Sequence, residues 1–274
     1  MKFTFVIYTL YFFQSIAYSQ QNIPDSSSNL LIYFDSCFFV VKENGDDKKT
    51  IVSQGVSKTE QYKFLSQSEQ ENNTQVFQKA KRLIQSKKSK ISFQLFDEYH
   101  YSVSPSVEHV FWKGNEVCSD YKKKVYNLLS GDSLEINTSD YEFNFSMLRY
   151  AWSPNGQWLA VRKEDKGRDL QSGGKSSIHL VNLSKNEITR TIKLDEAVEG
   201  ITWDYRSGMV AILAVEWLKA RTIGNFISPW AWFHPQMVQT YYVYLITPEN
   251  GVLKKIKIAD RSDFTMSYGM YWKK

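Results

Sequence analysis

The chain has 274 residues, a formal net charge of +5 and 15% aromatic residues, with 17 Tyr, 17 Phe and 8 Trp. Wide, flat side chains in this abundance favour pleated sheet, and the length suits one all-β domain. So small a charge leaves no electrostatic footprint for nucleic acid, and the two cysteines, Cys37 and Cys118, have no histidine pattern beside them that would make a zinc site.

At the N-terminus Lys2 precedes an apolar run from Phe3 to Phe13, and Ala17-Tyr18-Ser19 places small residues around a bulky one before Gln20. A positive end, a short apolar segment and a small-residue junction in this order predict a cleaved signal peptide over residues 1–19. The run is shorter than the roughly 20 residues that span a bilayer, and no later segment reads as a membrane helix. The expected compartment is extracellular or periplasmic, with a single domain over residues 20–274. In such an oxidising compartment a disulfide between Cys37 and Cys118 and a pair of free buried thiols are both open readings, because spacing along the chain does not fix Cα separation.

Three strands are expected at Asn29 to Phe34, Phe38 to Lys42 and Lys49 to Gln54. An amphipathic helix follows over about residues 72–90, with Val76, Phe77, Ala80, Leu83 and Ile84 on one face. Its other face is basic. Lys79, Lys81, Arg82, Lys87 and Lys88 form a candidate patch for an anionic partner, such as phospholipid headgroups or acidic glycans, against the plainer reading of a solvated face.

From Tyr101 onward one pattern recurs. Ser104-Pro105 precedes a strand at Val107 to Lys113, and Lys124 to Leu129 and Ser133 to Asn137 flank a Ser-Gly-Asp turn. About 50 residues later Tyr150-Ala-Trp152 and Trp158-Leu-Ala-Val161 flank Ser153-Pro-Asn-Gly156, a turn in which proline presets φ and glycine ends the reversal. Strands at Ser177 to Leu183 and Glu187 to Leu194 complete a set of four. A third set runs through Gly200 to Trp203, Met209 to Val215, Tyr241 to Ile246 and Val252 to Ile258. Gly269-Met-Tyr-Trp272 then repeats Gly200-Ile-Thr-Trp203 as a first strand with no local partner.

Self-similarity at this period, with four strands per repeat, predicts an all-β fold, a small β-propeller of four-stranded blades. The C-terminal strand is expected to join the three N-terminal strands, which closes a blade and removes an exposed edge. The count is four blades, or five if residues 54–98 hide another. An open sandwich or a solenoid fragment is the alternative.

The segment Tyr150-Ala-Trp-Ser-Pro-Asn-Gly-Gln-Trp-Leu-Ala-Val161 resembles the strand-turn-strand of TolB-type and WD-repeat-like propellers, which read aromatic-Ser-Pro-Asp-Gly-x-x-apolar-Ala. Asn155 stands where that pattern has Asp, and Ser102 to Pro105 and Asp204 to Gly208 keep only parts of it. The resemblance implies architecture alone. The motif is a turn, so it carries over no catalytic residue.

The connection from Trp217 to Gln239, an insertion of about 20 residues, is longer than its counterpart one repeat earlier, and long loops of this kind are often functional. Trp217, Phe226, Trp230, Trp232, Phe233 and His234 make it the leading candidate binding surface, for a protein partner or for stacking on sugar rings. A cap over the fold is the plainer reading. No catalytic constellation is expected. The histidines His100, His109, His179 and His234 lack metal-ligand spacing, no G-x-S-x-G elbow is present, and Gly173-Gly-Lys-Ser176 lacks the first glycine of a phosphate loop. The carboxylates Glu164, Asp165, Asp195, Glu196 and Glu199 gather at expected strand ends, where a pair could serve glycoside hydrolysis or merely keep the loops soluble. Sequons at Asn72, Asn137, Asn144 and Asn182 matter only in a host that glycosylates exported proteins. The expected function is a protein-interaction module at the cell envelope, without cofactor or metal. A carbohydrate-binding or carbohydrate-cleaving propeller is the alternative.

Overall fold

The computed structural model describes residues 29–34, 37–42, 48–52, 74–86, 88–93, 95–113, 122–140, 149–165, 175–219, 237–261 and 268–273. These form antiparallel sheets and one helix, in two compact units: residues 1–65 with 265–274, and residues 66–264.

In the first unit β1 (Asn29–Phe34), β2 (Cys37–Lys42) and β3 (Lys48–Val52) are joined by β16 (Tyr268–Lys273) in the order β16-β1-β2-β3. The C-terminal strand therefore finds the partner the sequence pattern asks of it, with Trp272 opposite Leu30 and Met270 opposite Ile32. Pairing of this kind satisfies backbone groups that a free edge would leave to water. Leu30, Ile32 and Val41 are buried.

The second unit contains three four-stranded meanders. The first is β4 (Tyr101–Val103), β5 (His109–Trp112), β6 (Lys122–Asn127) and β7 (Ser133–Asn137). The second is β8 (Tyr150–Trp152), β9 (Trp158–Glu164), β10 (Ser176–Asn182) and β11 (Glu187–Leu194). The third is β12 (Ala197–Trp203), β13 (Val210–Lys219), β14 (Met237–Thr247) and β15 (Gly251–Arg261).

The turn after the first strand of each meander has the same construction. Ser104, Ser153 and Asp204 each donate a backbone N–H, 2.9 Å long, to the carbonyl of His109, Trp158 and Met209. Their side-chain oxygens accept the N–H of the same three residues, at 3.1, 2.9 and 2.8 Å. Three residues on, Val107, Gly156 and Ser207 all take positive φ, at 66°, 69° and 62°. The strand expected from Val107 accordingly begins at His109, because residue 107 fills the left-handed position of the turn. The strand expected to reach Leu129 ends at Asn127, whose side-chain carbonyl accepts the N–H groups of Leu129 and Ser130 and bends the chain there.

Alternation of apolar side chains along the strands supplies two inter-sheet cores. Phe111, Val125 and Ile136 of the first meander pack with Leu159, Val161, Val181 and Leu183 of the second. On the other face of the second meander Ala160, Ile178, Leu180 and Ile192 meet Trp203, Val210, Ile212 and Tyr244 of the third. Each fully buried aliphatic side chain contributes ~1.5–3 kcal/mol. Indole hydrogen bonds repeat across both seams: Trp152 Nε1 donates to Ser102 Oγ at 2.9 Å, and Trp203 Nε1 donates to the Ala151 carbonyl at 3.0 Å.

The helix α1 spans 74–85, shorter than the expected 72–90. Its apolar stripe packs on the remaining face of the first meander, where Phe77, Ala80, Val103, Val110 and Leu128 form a third core. Phe77 stacks on Phe96 with ring centroids 4.6 Å apart.

Candidate functional site

In a meander, alternate connections leave opposite ends of the sheet. The tight turns at residues 104–108, 153–157 and 204–209 share one end with those at 128–132, 183–186 and 248–250. These ends lie side by side, since Asn155 N–H donates to Ser207 Oγ at 3.0 Å and the backbone of Gly156 abuts Ser106. The second-to-third-strand connections, through residues 114–121, 166–174 and 220–236, therefore leave the three sheets at the other end.

Each inter-sheet seam turns polar as it approaches that loop end. Between the first two meanders Lys163 Nζ pairs with Asp140 at 2.7 Å and Asp165 at 3.5 Å, and Ser177 donates its hydroxyl to Asp165. Burial alone would lower the Lys163 ammonium pKa, but the hydrogen bond and charge of Asp140, then of Asp165, hold it above the usual lysine value. Deeper in the seam His179 Nε2 faces the Asn137 carbonyl at 3.1 Å, so that nitrogen carries the proton, and Nδ1 accepts from Thr191 Oγ1 at 2.8 Å. Burial holds the His179 imidazole below its ordinary pKa, against the opposing pull of the Asn137 hydrogen bond.

The seam between the second and third meanders is built from equivalent positions. Glu196, only 2% exposed, accepts the Tyr244 hydroxyl at 2.6 Å and pairs with Lys255. Tyr242 donates to Glu216 at 3.1 Å, as Ser177 does to Asp165. The Lys255 ammonium stands 4.1 Å from the Tyr242 ring centroid and 5.4 Å from that of Tyr244, within cation–π range. Burial and then the Glu196 carboxylate push the Tyr244 hydroxyl pKa far up. Burial would lower Lys255, yet Glu196 carries it above the ordinary lysine value. Every carboxylate in these two groups is thus occupied by a neighbouring side chain of the same protein. The arrangement locks adjacent sheets together at the base of the loops.

The sequence-expected residues are distributed unevenly over this frame. Trp217 is in strand β13, opposite Gln239, because the β13–β14 ladder runs on to Lys219 and Met237. The expected Trp217 to Gln239 insertion is corrected to a connection over residues 220–236: β-favouring residues at both ends extend the hairpin. Strand alternation puts Trp217 on the opposite face of β13 from Glu216. Phe226, Trp230, Trp232, Phe233 and His234 lie outside the described residues, as do Lys87, Cys118, Gly173 and Gly174. Cys37 begins β2, and its expected disulfide partner falls outside the described residues. Lys79, Lys81, Arg82 and Lys88 are exposed.

Glu164 binds Arg162 at 2.7 Å, Glu199 faces Arg149 at 3.6 Å, and Asp195 pairs with Lys175 at 2.9 Å. His100 is held by Asp97, and buried His109 accepts from Asn127 Nδ2 at 3.2 Å. Among the described residues no group of three or more His, Cys, Asp or Glu is placed to hold a metal ion. The seam residues Asp140, Ser177, Thr191, Glu216, Tyr242, Tyr244 and Lys255 were not singled out from sequence. Asp140 lies beyond the end of β7, and Thr191, Tyr244 and Lys255 lie within their strands, so no single strand-end pattern marks the set.

No family model matches the chain. No curated protein matches it either. Solved structures similar to it include hydrazine synthase of Kuenenia stuttgartiensis, 13% identical with a TM-score of 0.38, covering 81% of this chain and 50% of that one. They include the β-propeller domain of the trilobed protease from Pyrococcus furiosus, 10% identical with a TM-score of 0.36, covering 85% and 55%. The acylaminoacyl peptidase of Pyrococcus horikoshii is 18% identical with a TM-score of 0.32, covering 57% and 24%. The chain thus spans between about a quarter and just over half of the length of these proteins, and the solved structures similar to it include β-propeller proteins.

Proposed function

We propose that this protein is an exported four-bladed propeller that binds another protein through the loop end of its sheets. Four four-stranded antiparallel sheets, three of them with an equivalent turn, support the propeller reading. The signal-like residues 1–19 support an envelope or extracellular role.

One observation carries the binding reading. The polar groups at the base of the loops are consumed in holding sheet to sheet, through Lys163 with Asp140 and Asp165 and through Glu196 with Tyr244 and Lys255. Such a frame offers rigid support to loops that differ in length, and the longest carries four aromatic residues, Phe226, Trp230, Trp232 and Phe233. Binding residues concentrate on loops set on rigid scaffolds, and Trp is enriched at interface hot spots.

The same aromatics favour a second reading, stacking on sugar rings. Replacing residues 221–235 by a Gly/Ser linker, and separately making the Trp230→Ala/Trp232→Ala double variant, distinguishes the two. Loss of one specific captured protein, with no signal on a glycan array, supports the first reading. Glycan binding lost in the double variant supports the second. A captured partner unaffected by the linker contradicts the use of this end.

A further inference from the structure

We propose that the outer face of α1 and the turns beside it form a docking surface for an anionic lipid bilayer. This surface is separate from the loop end and does not depend on the reading given for it.

Charge is the first observation. From Thr74 to Phe96 the sequence holds no acidic residue, and acids resume only at Asp97 and Glu98. The apolar stripe of α1 is spent on the core with Val103, Val110 and Leu128, so the helix turns Lys79, Lys81 and Arg82 outward, and Lys88 and Lys90 in the segment after it are exposed as well. Several lysines elsewhere are paired: Lys122 with Glu135, Lys163 with Asp140, Lys175 with Asp195 and Lys257 with Asp260. Among the described residues these five cations make no ion pair.

Exposed leucine beside this charge is the second observation. Leu95 is 62% exposed and Leu129 47%, among the few large apolar side chains left to solvent. Leu95 precedes Phe96, which stacks on Phe77 of the helix. Leu129 follows Leu128, whose carbonyl accepts the Lys90 N–H at 2.8 Å. A soluble polyanion needs only the cations. A bilayer surface uses both features, since headgroups attract Lys and Arg while leucine enters the acyl boundary. Among the described residues no helix is long and apolar enough to cross a membrane, so the contact is peripheral.

The test is co-sedimentation of the full chain with vesicles of phosphatidylcholine alone and with a fraction of phosphatidylglycerol. Residues 3–13 are apolar and common to every variant, so the readout is the difference between anionic and neutral vesicles. We expect preference for anionic vesicles that fades with added salt. Lys79→Gln/Lys81→Gln/Arg82→Gln should weaken it about 100-fold, at roughly 1 kcal/mol per cation near an anionic surface. Arginine at positions 79 and 81 should retain it, and Leu95→Ser/Leu129→Ser should weaken it about tenfold. Unchanged melting of the variants keeps a loss from being a folding defect. Equal binding to both vesicles, or an unaffected glutamine variant, overturns the proposal. So does heparin binding without vesicle binding, or indifference to the serine variant, each of which points to a soluble polyanion.

Discussion

Gly156→Ala probes the contact that aligns the first two meanders at their turn end. Gly156 has a φ of 69°, a region that costs an L-residue ~1–2 kcal/mol. A Cβ there would lie 2.8 Å from Ser106 Cβ and Oγ and 2.9 Å from the Ser106 backbone nitrogen. The Ser106 Oγ can rotate away but its Cβ and backbone nitrogen cannot, so overpacking of ~1–3 kcal/mol is added. Chemical unfolding followed by tryptophan fluorescence should show a loss of ~2–5 kcal/mol. Ser207 occupies the equivalent position with a side chain already present and accepts the Asn155 N–H. Ser207→Gly trades that hydrogen bond for backbone relief and should change stability by less than about 1 kcal/mol. Adding Ser106→Gly to Gly156→Ala should recover part of the loss. A Gly156→Ala protein within about 0.5 kcal/mol of the native one, with no coupling to Ser106, would refute the side-by-side placement of these turns.

Tyr244→Phe removes the hydroxyl that Glu196 accepts in a buried setting, and should cost ~1.5–3 kcal/mol by denaturant unfolding, the range for a hydrogen bond to a charged group. Trp203→Phe leaves the Ala151 carbonyl without its indole donor and should cost ~1–3 kcal/mol by the same measurement. Burial lowers the pKa of both His109 and His179 below the ordinary 6.5, so the unfolded chain takes up protons first as pH falls. Their contribution is therefore intact above about pH 6.5 and lost progressively below it, until the folded imidazoles protonate. Melting temperatures measured across that window should fall with pH, and less steeply in a His109→Gln/His179→Gln variant.

Much of the frame was legible because period and turn chemistry agree. Ser133–Asn137 and Glu187–Leu194 alternate cleanly and have the expected bounds, and the orphan strand around Gly269 to Trp272 pointed to its partner. The turns were legible where proline or glycine marks them, as at Ser153 to Gly156. They were less so where Val107 takes positive φ, which β-branched residues rarely do. The extended β13–β14 hairpin was missed because aromatic residues suit a strand and a binding loop alike, and only pairing of Trp217 with Gln239 separates them. The seam clusters are non-local. Glu196 meets Lys255 and Tyr244 across long stretches of chain, a juxtaposition that no local pattern encodes.

The loop end as the binding surface is tested most directly by photo-crosslinking. A photoreactive residue placed in turn at Ser172, Trp230 and Trp232, and at Leu129, Lys185 and Glu249 of the opposite end, samples both sets of connections in cells. The account predicts adducts with one partner from the first three positions and none with that partner from the last three. Adducts from the turn end alone would contradict it.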